Sequence, residues 1–239
     1  MKWLRRKPTI ITAVGLVVVL TAAVTLWNVS SSRTFQFFGE LVDRVETTDK
    51  VVALTFDDGP HPAGGRYVLD TLAEQQVQAT FFLMGRDLAT YPELGRKIAV
   101  AGHEIGNHTY NHQRMVGVLP STVAREIEDT DTKIRETGYR GDIHFRPPNG
   151  KKLFALPHYL SEHDRKTIMW DVEPDSAGTP TAQQIEQDVL QRTKPGSIIL
   201  LHPMYAGRDQ TRLALKPIIQ KLKERGFRFV TVSALLAAR

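Results

Sequence analysis

The distribution of apolar and charged positions divides the chain in two. From Pro8 to Ser32 no residue is charged, and Thr9 to Trp27 is a run of 19 residues dominated by Val, Leu, Ile and Ala. A helix of that length spans roughly 28 Å at about 1.5 Å per residue, close to the ~30 Å of a bilayer's hydrocarbon core. Lys2, Arg5, Arg6 and Lys7 precede the run, no charge follows it before Arg33, and Trp3 and Trp27 flank it. The excess of positive charge on one side keeps the N-terminus in the cytoplasm and exports everything after Trp27. An uncleaved signal anchor and a cleavable signal peptide both fit this pattern. The run is longer than the roughly 7 to 15 apolar residues of a signal peptide and no A-x-A site follows it, which favours the anchor; Val29-Ser30-Ser31 keeps cleavage open. The expected organisation is a cytoplasmic basic flank (1–8), a transmembrane anchor (9–27), a polar stalk (28–48) with some local packing at Phe35–Leu41, and one folded domain (49–239).

From Lys50 onward, short β-rich runs alternate with amphipathic stretches. Strands are expected at 51–56, 79–84, 103–106, 143–146, 166–171, 197–202 and 227–230. Helices are expected at 65–76, 91–101, 121–137, 153–163, 181–193 and 211–225, with a short one after Ser233. Ser121 and the pair Thr181/Gln184 look like N-terminal caps, and Gly102, Gly138 and Gly226 look like C-terminal stops. Strands alternating with helices of this length predict an α/β fold with a mostly parallel sheet, open or closed into a barrel. In such folds the functional site forms at the C-terminal ends of the strands. Ionisable residues gather there: Asp57 and Asp58, His108 and His112, Arg146, Asp171 and Asp175, and His202.

Composition narrows the class. The 239 residues are 41% hydrophobic, enough for one sizeable core, which excludes a disordered chain. The formal net charge of +5 invites a nucleic-acid reading, but four basic and no acidic residues lie in 1–7, leaving 27 basic against 26 acidic over 8–239. The basicity is therefore largely a topology signal, and with no aromatic-basic interleaving no nucleic-acid partner is expected. Cysteine is absent, so any metal must sit on His, Asp or Glu.

Asp57-Asp58-Gly59-Pro60 directly follows the apolar run VVALTF. Adjacent carboxylates leave a strand in opposite directions, which suits one metal ligand and one general base; Asp-Gly-Pro is also ordinary turn chemistry. His108 and His112 are four residues apart, neighbours on a helical turn and spaced for a shared cation, although such pairs are common on surfaces. Two His and one carboxylate make a three-ligand set with open positions, the pattern of a catalytic rather than a structural metal site. His202 ends the apolar run 198–201, where it could donate a proton to a leaving group or serve as a core histidine. Asp175 could orient that imidazole, and Arg146 could hold Asp57 ionised. His61 could line the cleft; His103, His144, His158 and His163 read as structural.

These residues, taken in order, resemble the polysaccharide deacetylase family, carbohydrate esterase family 4, also called the NodB-homology domain. The resemblance lies in Thr55-Phe-Asp-Asp-Gly-Pro60, His108-Thr-Tyr-Asn-His112, Phe145-Arg-Pro-Pro-Asn-Gly150, Trp170-Asp-Val-Glu-Pro-Asp175 and Ile199-Leu-Leu-His202, and spans roughly residues 50–235. It implies a distorted (β/α) barrel with about seven parallel strands, behind the N-terminal transmembrane helix. It also implies metal-dependent removal of N-acetyl, or O-acetyl, groups from a sugar polymer. Asp58, His108 and His112 would bind a divalent metal, commonly zinc; Asp57 would be the general base and His202 the general acid. Arg146 would tune Asp57, and Asp175 would tune His202. Two positions depart from the family pattern. Asn149 stands where a Tyr is usual; its backbone N–H would still serve the oxyanion while the aromatic packing is lost. Ser176 stands where a Trp often closes the acetyl-methyl pocket, leaving Leu200 as a candidate wall.

The expectation is a membrane-anchored hydrolase acting outside the cytoplasm on an N-acetylated envelope or extracellular glycan such as peptidoglycan or an N-acetylglucosamine polymer. A deformylase or other amide hydrolase on a lipid-linked sugar, and a catalytically silent glycan-binding protein, are the alternatives. Retention of Asp57, His202 and all three metal-binding positions argues against the silent one.

Overall fold

The computed structural model describes residues 6–238, with side chains from Thr12. Lys2, Trp3 and Arg5 of the expected basic flank lie outside the described residues, and Arg6 and Lys7 are described by their backbone alone. Helix α1 (Arg6–Ser31) carries the apolar run, and its stretch Thr12–Ser31 is long and apolar enough to cross a membrane.

The domain that follows is α/β. In chain order its elements are β1 (Leu41–Val42), β2 (Val51–Asp57), α2 (Pro62–Glu74), β3 (Thr80–Leu83), α3 (Gly85–Thr90), α4 (Pro92–Val100), β4 (Glu104–Asn107), α5 (Pro120–Glu136), α6 (Ala155–Glu162), β5 (Thr167–Ile168), α7 (Ala182–Arg192), β6 (Ile198–Leu201), α8 (Asp209–Glu224), β7 (Arg228–Val230) and α9 (Val232–Leu236). The main sheet runs β4-β3-β2-β6, with β7 beside the start of β2, and every ladder is parallel. β2 is buried along its whole length, as its unbroken apolar run requires of a central parallel strand.

The expected barrel is not a closed sheet among the described residues. The strand expected at 143–146 is reduced to single bridges from Phe145 to Asn107 and to Thr167, and β5 is two residues long, paired with β1. Pro147 and Pro148 follow immediately and have no N–H to donate, so the segment cannot extend a ladder on either side. Parallel bridges Val172–Ile199 and Met115–Lys152 and an antiparallel bridge Arg44–Ser197 are the remaining isolated bridges among the described residues.

Local signals behave as chemistry dictates. Thr181 and Gln184 form a reciprocal capping box on α7. Gly102, Gly138 and Gly226 end helices at φ +77, +93 and +85. Ser121 is not a cap: α5 opens on Pro120, whose fixed φ and missing N–H suit the first helical position. Residues 28–48 pack more tightly than a stalk with local contacts at 35–41. β1 lies in this stretch, and Val42 and Val45 are buried in one core cluster with Phe82, Trp170 and Leu200.

Strand alternation sets where side chains go. Val52, Leu54 and Phe56 of β2 face the helices, with Phe81, Leu83, Ile105, Ile199 and Leu201 of the neighbouring strands. Val51, Ala53, Phe82, Ile198 and Leu200 face the other side. The two-residue period therefore sends Thr55, Asp57, His108 and His202 toward one interior face at the strands' C-terminal ends.

Candidate active site

Those strand ends enclose a cleft of about 550 Å³, lined by Asp57, Asp58, His108, His112, Asn149, Leu200 and His202 among others. Arg146 underlies it and is fully buried. Its Nη1 donates to Asp57 Oδ1 (2.7 Å) and Thr55 Oγ1 (2.8 Å), and its Nη2 to the Met169 carbonyl (3.0 Å). The guanidinium also lies over the Phe82 ring at 4.1 Å. Burial alone would push the Asp57 carboxyl up, but the Arg146 guanidinium, with His108 and His202, outweighs it and holds Asp57 below the usual carboxylate range. A buried acid is thus kept ionised at neutral pH.

Asp58 has left the strand. At φ 73 it occupies the left-handed region, so strand alternation no longer governs it, and both carboxylates meet the same imidazole. His108 Nε2 lies 3.7 Å from Asp57 Oδ2 and 3.8 Å from Asp58 Oδ1; His112 Nε2 lies 3.3 Å from Asp58 Oδ1. The expected helical turn at 108–112 is absent. The segment is a loop in which Thr109 (φ 64) and His112 (φ 60) are left-handed, bringing the rings to 5.1 Å between centroids. Asn107 Oδ1 accepts from the Thr109 N–H, and Glu126 of α5 accepts from the backbone and side chain of Asn111. Four of the six described non-glycine residues with positive φ, namely Asp58, Thr109, His112 and Asn149, cluster at this cleft. Each costs on the order of 1 kcal/mol or more, and such strain concentrates at functional sites.

The donor set fits a divalent cation. One ligand atom each from Asp58, His108 and His112 lies within 4.8 Å of the others. Tetrahedral ligands at about 2.1 Å from an ion sit roughly 3.4 Å apart, comparable to the spacings above. His108 Nδ1 is bonded to the Arg146 carbonyl (2.8 Å), which makes Nδ1 the donor and leaves the Nε2 lone pair facing Asp58. Burial and the neighbouring His108 lower the His112 pKa, favouring the neutral, ligating form.

His202 continues β6 into the same cleft. Asp175 is 2% exposed and accepts at Oδ1 from His202 Nδ1 (3.0 Å) and at Oδ2 from the His202 backbone N–H (2.7 Å) and Thr211 Oγ1 (3.0 Å). Burial would lower the His202 pKa; the hydrogen bond and charge of Asp175, with Asp57 and Asp58 behind, prevail and push it up to about 9. Asn149 stands at φ 55 and its Oδ1 accepts from Arg114 Nε (3.1 Å). Leu200 is buried at the cleft wall. Ser176 Oγ donates to Glu173 Oε1 (2.6 Å) and lies 3.4 Å from His202 Nδ1. Asp171 instead accepts from Ser197 Oγ and the Ile198 N–H, a structural role, and His61 caps α2 by accepting from the Ala63 N–H.

Sequence reasoning missed Ser31, Arg33, Trp170, Glu173 and Arg208, all of which line the cleft. Trp170 and Glu173 sit inside a motif already singled out. Nothing local marks Ser31 and Arg33, which reach the cleft by long-range packing.

A buried carboxylate paired with Arg146, a donor set that fits a cation and an imidazole paired with a buried carboxylate share one cleft on an α/β scaffold, the parts a hydrolytic centre requires. Residues 44–168 match the polysaccharide deacetylase family model. A peptidoglycan-N-acetylglucosamine deacetylase of Bacillus cereus is 36% identical over 200 residues, covering 83% of this chain and 93% of that protein. A chitooligosaccharide deacetylase of Azorhizobium caulinodans is 31% identical over 196 residues, covering 77% and 93%. The solved structure of a family 4 acetyl xylan esterase from Clostridium thermocellum, in complex with a cobalt ion, superposes with a TM-score of 0.73 at 33% identity, covering 79% and 91%. The chain belongs to the polysaccharide deacetylase family.

Proposed function

We propose that the protein is a metal-dependent carbohydrate deacetylase that hydrolyses N-acetyl groups of an envelope glycan such as peptidoglycan or an N-acetylglucosamine polymer. The observation that carries this reading is the convergence of Asp57, held ionised by Arg146, with the Asp58–His108–His112 cluster and His202 in one cleft. Relatives named for peptidoglycan and chitooligosaccharide deacetylation support the substrate class.

Asp58, His108 and His112 would hold the cation, and zinc is one ion that a set of one carboxylate and two imidazoles with open positions suits. When bound, a divalent cation polarises the acetyl carbonyl and acidifies the attacking water. Asp57 accepts the proton of that water; it remains a competent base because Arg146 keeps it ionised without occupying Oδ2. Asn149, which lines the cleft, would offer its backbone N–H to the charge that develops on the carbonyl oxygen. His202, charged through its contact with Asp175, gives its proton to the departing amine, releasing acetate and a free amino sugar. Leu200 forms the apolar wall against which the acetyl methyl rests.

Helix α1 is read as a membrane anchor, with the catalytic domain, beginning near residue 49, on the extracytoplasmic side. Its length and apolar character support this reading. The direct test is acetate release from N-acetylglucosamine oligomers and peptidoglycan by the full chain in detergent, with and without a chelator. Release that requires the cation supports the reading. No release from any N-acetylated glycan by cation-loaded protein would overturn it.

A further inference from the structure

The segment that leaves α1 does not pass the domain by. Ser30 is fully buried, and its carbonyl accepts from the Lys152 backbone N–H at 3.0 Å. Lys152 is itself 1% exposed, and its ammonium donates to the Ser32 carbonyl, while the Lys151 ammonium donates to Ser31 Oγ. Both lysines directly follow Asn149 and Gly150, which line the cleft. On the other side, Arg33 pairs with Glu173 and lies over the Trp170 ring at 4.8 Å. Glu173 also accepts from Trp170 Nε1 (2.8 Å) and from Ser176 Oγ, which neighbours His202. Residues 30–33 thus strap together the two loops that carry Asn149 and Trp170. Ser31 and Arg33 line the same cavity as Asp57, Asp58 and His202.

We infer that the segment after α1 is an integral wall of the glycan-binding cleft and that Arg33 is a substrate-binding residue. Its guanidinium is oriented by the Trp170 face and the Glu173 carboxylate, leaving N–H donors for sugar hydroxyl and carbonyl oxygens next to the residue being deacetylated. A guanidinium offers donors alone, so the ligand group is an acceptor, and its seat over the indole, with the Glu173 pair, holds the fork that presents them. The side chain is 41% exposed, so its removal need not disturb the fold. Lys152 makes the same point from beneath. A buried ammonium partnered by the Ser32 carbonyl is a fastening that a free tether would not require.

This rests on the cleft being the deacetylase site, and the test separates the two. The full chain, cation-loaded in detergent, is compared with Arg33→Ala and Arg33→Lys. Three quantities are read: kcat and KM on an N-acetylglucosamine oligomer, turnover of a small acetyl ester too short to reach Arg33, and oligomer Kd in an Asp57→Asn background. Arg33→Ala should raise KM and Kd about tenfold, the loss of one charge-assisted hydrogen bond, with kcat and ester turnover within twofold. Arg33→Lys, keeping the charge but not the planar fork, should recover part of the loss. Unchanged KM and Kd in a folded Arg33→Ala protein would overturn the inference, as would an equal fall in oligomer and ester turnover. If the unaltered chain hydrolyses neither substrate, the deacetylase reading fails, and the Kd comparison still decides the role of Arg33.

Discussion

Replacing Asp175 by Asn removes a charge while nearly preserving shape, and the structure sets the size of the effect. His202 titrates at about 9 against an ordinary 6.5, a difference of about 2.5 units, or roughly 3 kcal/mol of preference for the charged ring. Burial opposes that preference while Asp57 and Asp58 support it, so without the Asp175 carboxylate the imidazole should fall toward its ordinary value of about 6.5. At pH 8 the protonated fraction would drop from about nine-tenths to about one in thirty. The sign follows for stability as well. The folded pKa of His202 is raised, so its contribution is complete below about pH 6.5 and is lost as pH rises through about 9. The Asp175 pKa is lowered from 3.8, so the partner's contribution is present above that value and lost in acid. The stability gap between the two proteins should therefore be widest between about pH 4 and 6.5 and should shrink by pH 9. The assay is kcat/KM against pH from 6 to 10.5 on the cation-loaded full chain, with urea denaturation at matching pH. The alkaline limb should move down by about two units in the variant. An alkaline limb that stays within half a unit, in a protein of otherwise native stability, would refute the assignment of His202 as the acid that Asp175 keeps charged.

Other perturbations test the remaining parts. Arg146→Met leaves Asp57 buried without its cation. It should raise the acid limb of the pH profile and cost about 3–5 kcal/mol of stability, read by urea denaturation. Gly64 packs α2 against the segment after His202, and a Cβ there would meet the Pro203 carbonyl oxygen at 2.1 Å. Gly64→Ala should cost about 1–3 kcal/mol and lower kcat by displacing His202, seen in melting curves and steady-state rates. His108→Ala should abolish cation binding measured by equilibrium dialysis while leaving the Arg146–Asp57 pair intact, because that pair does not depend on the imidazole.

How much of this was legible in the sequence depended on the range of the signal. Asp57 and His202 follow apolar runs and His108 follows the short strand Glu104–Asn107, and the two-residue period of a strand is enough to aim all three at one face. Asp58 and His112 were found by type and spacing, but their geometry was not. The first turns inward because φ is positive, and the second reaches His108 through a left-handed Thr109 rather than a helical turn. Neither conformation is signalled by Asp or Thr alone. The barrel remained open where Pro147 and Pro148 withdraw two donors, a local cue that a count of apolar runs ignores. Arg33 was invisible because its partners, Trp170 and Glu173, lie some 140 residues away in sequence. β1 was missed because a two-residue strand carries no period.

The central claim is that Asp57 acts as a base beside a cation held by Asp58, His108 and His112, and that this centre removes acetyl groups from a glycan. The most direct measurement follows acetate and free amine released from N-acetylglucosamine oligomers and peptidoglycan by the full chain and its Asp57→Asn variant, before and after chelation and cation return. Acetate and amine should appear in equal amounts, disappear with the chelator, return with the cation, and fall at least 100-fold in the variant, about the weight of a general base. Undiminished release by Asp57→Asn, or release indifferent to the cation, would contradict the account.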